Sequence, residues 1–379
     1  MNLISNDVSS SAIYVVISSI VGLALTGMSL NFLGPDLYGL WVLILTILIL
    51  GMFGEHGLGL PIIRLIDIDD IQYNQEVLTT CIGPIILINC IIFLALFFVN
   101  PLFIDYLSSS NFEISYNKEL ILPLMGIIVF LFLFSIIPTS CLIGYNQLYV
   151  VNYIKTLSRL LQMGVAFWLF NNGLNLWSLI LSLLLYQISV LFFTVIFTLR
   201  VFQLKIYYKQ FFNKTIYSDL VRVGYKIVAA RIVGLGIDPL FKYSLGFFIG
   251  FKYVAFFDIA FKLNSLVTQI PLVALKGRIS TFTGILRESR YSLIDGEMRK
   301  IDLHIALYVV PILILALFFA EYFLILWLQD GYDYRMKLGL LFLMPTLSVY
   351  IFANARELFL VSAGDSATTL GAYITNALV

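Results

Sequence analysis

LILPLMGIIVFLFLFSIIPTSCL, residues 120–142, runs its whole length without a charged side chain. At 1.5 Å of rise per residue, a helix of this length crosses the ~30 Å hydrocarbon layer of a bilayer. Of the structures a single segment can form there, only a helix closes its own backbone hydrogen bonds, so the stretch reads as a membrane span. Outward from it, mostly apolar runs fall at roughly 11–33, 38–62, 78–100, 150–170, 176–199, 225–249, 253–275, 303–328 and 338–362. An eleventh begins near Ser366 and covers half a span by Val379. Hydrophobic residues make up 60% of the chain and charged ones 12%, against about 25% charge in a soluble domain. The expectation is an all-α polytopic membrane protein of ten to eleven spans, and not a soluble enzyme.

The charge pattern sets the orientation. The loop after the sixth run holds Arg200, Lys205, Lys209, Lys214 and Arg222, and the loop after the eighth holds Lys276, Arg278, Arg287, Arg290, Arg299 and Lys300. The opposite side carries only Lys118, Lys252, Arg335 and Lys337. Cytoplasmic loops carry the Lys/Arg excess, which places the N-terminus and both basic loops in the cytoplasm. Met1 to Ser10 lacks the charged start and small-residue cleavage site of a signal peptide, so the first span is expected to be retained. The formal net charge of +1 and the lack of a basic module argue against nucleic acid as a partner.

Enzyme and metal signatures are missing. There is no P-loop, no G-x-S-x-G and no H-E-x-x-H. Cys81, Cys90 and Cys141 lie inside apolar runs without C-x-x-C spacing, and read as small buried hydrophobes. Asp67, Asp69 and Asp70 have no second acidic cluster and read as a solvated loop. No cofactor or metal is expected.

A faint repeat divides the chain. Phe32-Leu-Gly34-Pro-Asp-Leu-Tyr38-Gly39 lies between the first two runs, and Phe248-Ile-Gly250-Phe-Lys-Tyr253-Val-Ala255 between the seventh and eighth. Repeats of this kind are typical of transporters built from two halves. The expected organisation is two pseudo-symmetric bundles: a six-helix bundle over 1–199, a cytoplasmic basic linker over 200–224, and a C-terminal bundle over 225–379. The last has four full spans and a partial eleventh, as in a chain that is truncated or incomplete.

Ionisable groups in hydrocarbon cost about 2.5–3.5 kcal/mol each on insertion scales, so those present should face protein or water. Arg231, Asp238 and Lys242 sit at i, i+7 and i+11, within about 40° of one another on a helix. Asp258, Lys262, Ser265 and Gln269 form a second stripe. Asn152, Lys155, Arg159 and Gln162 form a third, and Ser11, Ser18, Gly22, Thr26 and Ser29 a small polar face on the first run. Together the stripes predict a central hydrated cavity. Lys155, Arg159, Arg231, Lys242 and Lys262 outnumber Asp238 and Asp258, so the cavity should be cationic and suit an anionic substrate. Two readings stay open for the second half, since Asp238–Lys242 and Asp258–Lys262 are i,i+4 pairs able to neutralise each other. Glu55, deep in the second run beside His56, is either a coupling carboxylate or a counter-ion. Arg64 stands near the cytoplasmic boundary, where it can snorkel. Arg356 and Glu357 read as an ion pair.

FLGPDLYGLW at residues 32–41, then Glu55-His-Gly57-Leu-Gly59 and Arg64, resembles the opening hairpin of the Wzx-type polysaccharide flippases. These belong to the multidrug/oligosaccharidyl-lipid/polysaccharide exporter superfamily. Glu55-His56 stands where that family more often has an Asp directly before the glycine. Gly144-Tyr-Asn-Gln147 running into Asn152 is similar to its fourth-to-fifth connection. Ile237-Asp238-Pro239, followed by Gly246, Gly250, Tyr253, Ala260 and Lys262, is similar to the start of its second half. The resemblance implies a flippase for an undecaprenyl-diphosphate-linked oligosaccharide, an O-antigen or capsule repeat unit, in the bacterial inner membrane. Alternating access would come from rocking of the two bundles. Arg64, Lys155, Arg159, Arg231, Lys242 and Lys262 are the expected anion contacts, and Glu55, Asp238 and Asp258 the groups that orient them or couple to H+ or Na+. Membrane lipid and other membrane proteins of polysaccharide assembly are the remaining expected partners.

Three rivals stand beside this reading. An ion-coupled multidrug exporter of the same superfamily should favour an anionic cavity, against the sign bias here. A polysaccharide polymerase or glycosyltransferase needs catalytic groups on a sizeable outer loop, and the longest, 101–119, offers only Asp105, Glu113, Lys118 and Glu119. A non-transporting remnant would account for the short second half.

Overall fold

The computed structural model describes residues 2–49, 52, 55–67, 70–109, 118–202, 213–276, 294–346 and 351. Of these 94% are helical and none forms a strand. Helix α1 covers Asn2–Leu45. A π-helical turn, Glu55–Gly59, leads into the short α2, Leu60–Leu65. Then come α3 (Ile71–Ser109), α4 (Ile121–Gly144), α5 (Leu148–Asn171) and α6 (Leu176–Phe202). Helices α7 (Lys214–Phe248), α8 (Phe251–Lys276), α9 (Ile294–Leu328) and α10 (334–346) follow.

Among the described residues, four segments are each long and apolar enough to cross a bilayer: Ser9–Leu45, Ile71–Ile104, Lys118–Gly144 and Leu176–Val201. Arg299–Leu315 and Phe318–Gly331, joined at a bend of 68°, are long and apolar enough together, as a broken span or a re-entrant loop. Helices α5, α7 and α8 are long enough as well, since 24 residues rise about 36 Å, but their charged stripes lower their apolarity. The lipid-facing surfaces are greasy: Phe97, Leu102 and Phe342 are 67%, 70% and 80% exposed. The chain is a multi-pass membrane protein.

Several boundaries differ from the sequence expectation, each for a local reason. The second run, 38–62, is not one helix. Gly57, Gly59 and Pro61 cluster where it breaks, two glycines that weaken a helix and a proline that lacks the N–H to continue one. The break gives the π-turn and α2, which starts with Pro61 in its first turn. The turn lies against α4 and the first part of α7, where a Cβ on Gly224 would come within 2.1 Å of the Gly57 carbonyl oxygen. Helix α3 runs on to Ser109, so much of the stretch 101–119, expected as a loop, is helical. Helices α6 and α7 likewise extend into 200–224, and Arg222 is helical. Cys81 and Cys141 are buried as expected. Cys90 is exposed, because it lies on the lipid-facing side of α3.

The chain forms two compact units. The first comprises Met1–Leu33 and Leu43–Ile232, the second Gly34–Val42 and Val233–Val379. The division falls inside α1 and α7. In the first unit α4 packs against α3 and α6, and α5 against α6. Met125, Ile128, Val129 and Leu133 of α4 are fully buried there. Short caps end these helices. Asn146 after α4 and Gly173 after α5 take positive φ, and the 6→1 bonds Gln147 N–H to Leu142 C=O and Leu174 N–H to Leu169 C=O close the last turns.

In the second unit, α8 buries Val254, Ala255, Ile259 and Ala260. Gly339 of α10 approaches Ala260 closely, with 3.5 Å to a built Cβ, small residue against small residue as membrane helices pack. Both turns of the repeat hinge on a glycine at positive φ: Gly34 at 72° and Gly250 at 122°. Gly34 breaks α1 and Pro35 restarts it, where a missing N–H does no harm. The two turn segments touch backbone to backbone, because Gly39 lies against Phe251.

Candidate functional site

In the first unit the polar stripe of α5 is the organising feature. Asp7 accepts a hydrogen bond from the Tyr149 N–H (3.0 Å), a carboxylate placed where the helix dipole favours it. Asn152 is buried, and its amide donates to both Ser10 and Ser11 of α1 at 3.0 Å. Two turns further on, Arg159 Nη1 donates to Gln162 Oε1 at 2.7 Å. The guanidinium lies over the buried Tyr186 ring of α6, 4.4 Å from its centroid. Its Nε is buried and meets no acceptor. Tyr14 and Glu55 lie near enough to the Tyr186 hydroxyl to act on it electrostatically. Arg159 has no carboxylate within ion-pair distance among the described residues, and neither has the half-buried Lys155 one turn before it.

Glu55 opens the π-turn and is half-buried. Turns of this kind recur at functional sites because they redirect a side chain out of helical register. Arg64 is exposed in the last turn of α2. Of the three acidic loop residues, Asp67 and Asp70 are exposed, and Asp70 accepts from the Tyr73 N–H at the start of α3; Asp69 lies outside the described residues.

In the second unit four charges form a ladder. Lys242 Nζ reaches Asp238 Oδ2 at 3.0 Å and Asp258 Oδ1 at 3.2 Å. Lys262 Nζ reaches Asp258 Oδ2 at 2.8 Å. Tyr38, 1% exposed, donates to Asp258 Oδ2 and accepts from Lys262 Nζ, both at 2.7 Å. Both i,i+4 pairs form, and Lys242 joins them across helices. Asp258 thus receives two ammonium groups and a phenol, and the ladder of two acids and two bases is neutral.

The structure therefore separates the predicted cations by circumstance. Lys242 and Lys262 are matched by Asp238 and Asp258, while Lys155 and Arg159 are unmatched among the described residues. The Arg231 backbone is helical in α7, but its side chain lies outside the described residues. The same holds for His56 and Gln269, and Arg356 and Glu357 fall outside them altogether. Two contributors were not among the expected site residues. Tyr186 is one aromatic in an apolar run, and Tyr38 lies 220 positions from the carboxylate it binds. Among the described residues no group of His, Cys, Asp or Glu is arranged to hold a metal. A cavity of about 420 Å³ between α3 and α4 is lined by apolar groups such as Phe93, Phe97 and Phe130. It belongs to the lipid-facing surface.

No protein-family model matches the sequence, and no curated protein matches it. Solved structures do match the fold. An inward-facing multidrug resistance MATE family transporter of the MOP superfamily is 16% identical, with 95% of this chain and 84% of that one covered at a TM-score of 0.66. The lipid II flippase MurJ, in an inward closed conformation, is 13% identical over 97% of this chain and 78% of that one, with a TM-score of 0.72. An outward-facing MATE transporter aligns over 99% and 85%, at 16% identity and a TM-score of 0.63. The chain shares the fold of these polytopic transporters and flippases.

Proposed function

We propose that the chain is a flippase that carries an undecaprenyl-diphosphate-linked oligosaccharide, an O-antigen or capsule repeat unit, across the bacterial inner membrane by alternating access, with its N-terminus in the cytoplasm. The observation that carries this reading is Arg159. It is a permanently charged, partly buried guanidinium on a long membrane helix, with an unpaired Nε and no carboxylate among the described residues. Leaving a cation unpaired in such surroundings is costly, and an anionic headgroup that docks there supplies the missing charge. Lys155, one turn away on the same arc, adds a point charge to the fork of Arg159. Arg64, Arg231, Lys242 and Lys262 are proposed as further anion contacts. The fold it shares with a lipid II flippase and the motif resemblance at residues 32–64 support the same substrate class.

Glu55, half-buried and without an ion pair among the described residues, is the proposed coupling carboxylate for H+ or Na+. Asp238 and Asp258 orient the lysines of their ladder. The likeness to MATE transporters favours a second reading, export of drugs, for which a cationic site is poorly suited. Substitution separates the two. Arg159→Ala is expected to lower translocation of the lipid-linked oligosaccharide at least tenfold at normal protein level, since a charge-assisted hydrogen bond contributes about 1.5–3 kcal/mol. Arg159→Lys should recover part of it. Unchanged surface glycan in cells carrying Arg159→Ala would defeat the proposal, and restored drug resistance in a pump-deficient strain would favour the rival.

A further inference from the structure

Arg159 and Glu55 share a neighbour without meeting. The guanidinium lies 4.4 Å from the centroid of the Tyr186 ring, and Glu55 lies near enough to the hydroxyl of the same residue to act on it. Yet no carboxylate reaches Arg159 within ion-pair distance among the described residues. Opposite charges grouped around one buried ring attract strongly, so something must hold them apart. Two contacts do. Gln162, 5% exposed, takes Nη1 on its Oε1 at 2.7 Å. Tyr186, 7% exposed, takes one face of the guanidinium, a contact that strengthens where water is excluded. Tyr14 of α1 lies beside the Tyr186 hydroxyl. A planar cation suits this hold, since it offers a face to the ring and an edge to the amide.

We propose that Tyr186 and Gln162 are positioning residues that keep Arg159 from collapsing onto Glu55, and so keep the guanidinium open to an anion. Without the ring face, Arg159 swings to Glu55, the two charges cancel, and the anion site closes. The Nε of Arg159, buried and without an acceptor, marks a cation held short of the carboxylate nearest to it in charge. Neither positioning residue needs to touch the ligand. The inference deepens the function proposed above by naming what stops the chain from filling its own anion site, and rests on it for the ligand.

The test reads binding of inorganic pyrophosphate to the full chain in detergent, taking as signal the part lost in Arg159→Ala. Tyr186→Leu should weaken that binding about tenfold, the scale of losing one charge-assisted contact. Tyr186→Phe keeps the ring face and should stay within about threefold of wild type. The decisive variant is Tyr186→Leu/Glu55→Gln. With no carboxylate to collapse onto, it should recover most of the lost affinity, a rescue that a merely structural role for the ring does not provide. Gln162→Ala should also weaken binding and be rescued by Glu55→Gln, and this pair decides if Tyr186→Leu does not fold. A loss that Glu55→Gln fails to restore would overturn the inference and leave Arg159 as the anion contact. So would unchanged binding in both Tyr186→Leu and Gln162→Ala. Pyrophosphate binding that Arg159→Ala leaves intact would overturn the function proposed above together with this inference.

Discussion

Asp258→Ala is expected to lower the unfolding midpoint sharply and to cut the amount of folded protein in the membrane. The carboxylate is 4% exposed and is the junction of the ladder, receiving Lys242, Lys262 and Tyr38. Removing it turns a neutral cluster into one with an excess cation and deprives Tyr38 of its acceptor. Breaking a buried ion pair by deleting one partner costs about 3–5 kcal/mol, because the remaining charge is stranded. That is a large share of the 5–15 kcal/mol by which most folds are stable. The double variant Asp258→Ala/Lys262→Met should recover much of the loss, since Lys242 keeps Asp238. Lys262→Met alone should be mild, with Asp258 still holding Lys242. Thermal unfolding in detergent measures all three as a cycle. Equal and additive losses in the two single variants would mean that the ladder is not coupled as described.

That ladder shows what sequence reading reaches and what it misses. The i,i+4 spacing of Asp238–Lys242 and Asp258–Lys262 was visible because helical phase is local, and a membrane penalises any charge that lacks a partner nearby. The same logic flagged Lys155 and Arg159 as cations without an acidic partner on their own helix, and the structure leaves both without a carboxylate within ion-pair distance among the described residues. The spans around 120–142, 150–170 and 176–199 were equally plain, since long charge-free or one-sided runs have one solution in lipid. Tyr38 was not legible as a ladder member. Its partners lie over 200 residues away, and no spacing rule links a tyrosine near a Gly-Pro break to a carboxylate on α8. The π-turn at Glu55–Gly59 was hidden for a different reason: hydropathy averages over the run 38–62 and does not register where the backbone leaves α-helical register. The exposure of Cys90 was hidden as well, because in lipid an apolar neighbourhood does not distinguish the inside of a bundle from its outside.

Gly39→Ala tests the other feature that depends on long-range contact. In an ordinary helix glycine is the weaker choice, and alanine stabilises by about 1 kcal/mol. Here the sign is expected to reverse. A Cβ on Gly39 would lie 1.9 Å from the carbonyl oxygen of Phe251 and 2.6 Å from its carbonyl carbon. Both are backbone atoms of the turn into α8, so no side chain can swing aside to make room. Overpacking a filled interior costs about 1–3 kcal/mol, and more where backbone must move. Displacement of the 34–42 segment would also carry Tyr38, one residue away, off Asp258 and Lys262, adding the loss of those bonds. Gly22→Ala in the same helix is the control: a Cβ there meets nothing within 4 Å, so that substitution should be neutral or slightly stabilising. A lower unfolding midpoint for Gly39→Ala, with Gly22→Ala like wild type, is the expected pattern. Equal behaviour of the two would mean that the repeat's two turns do not meet backbone to backbone, and that Tyr38 is held in place by something else.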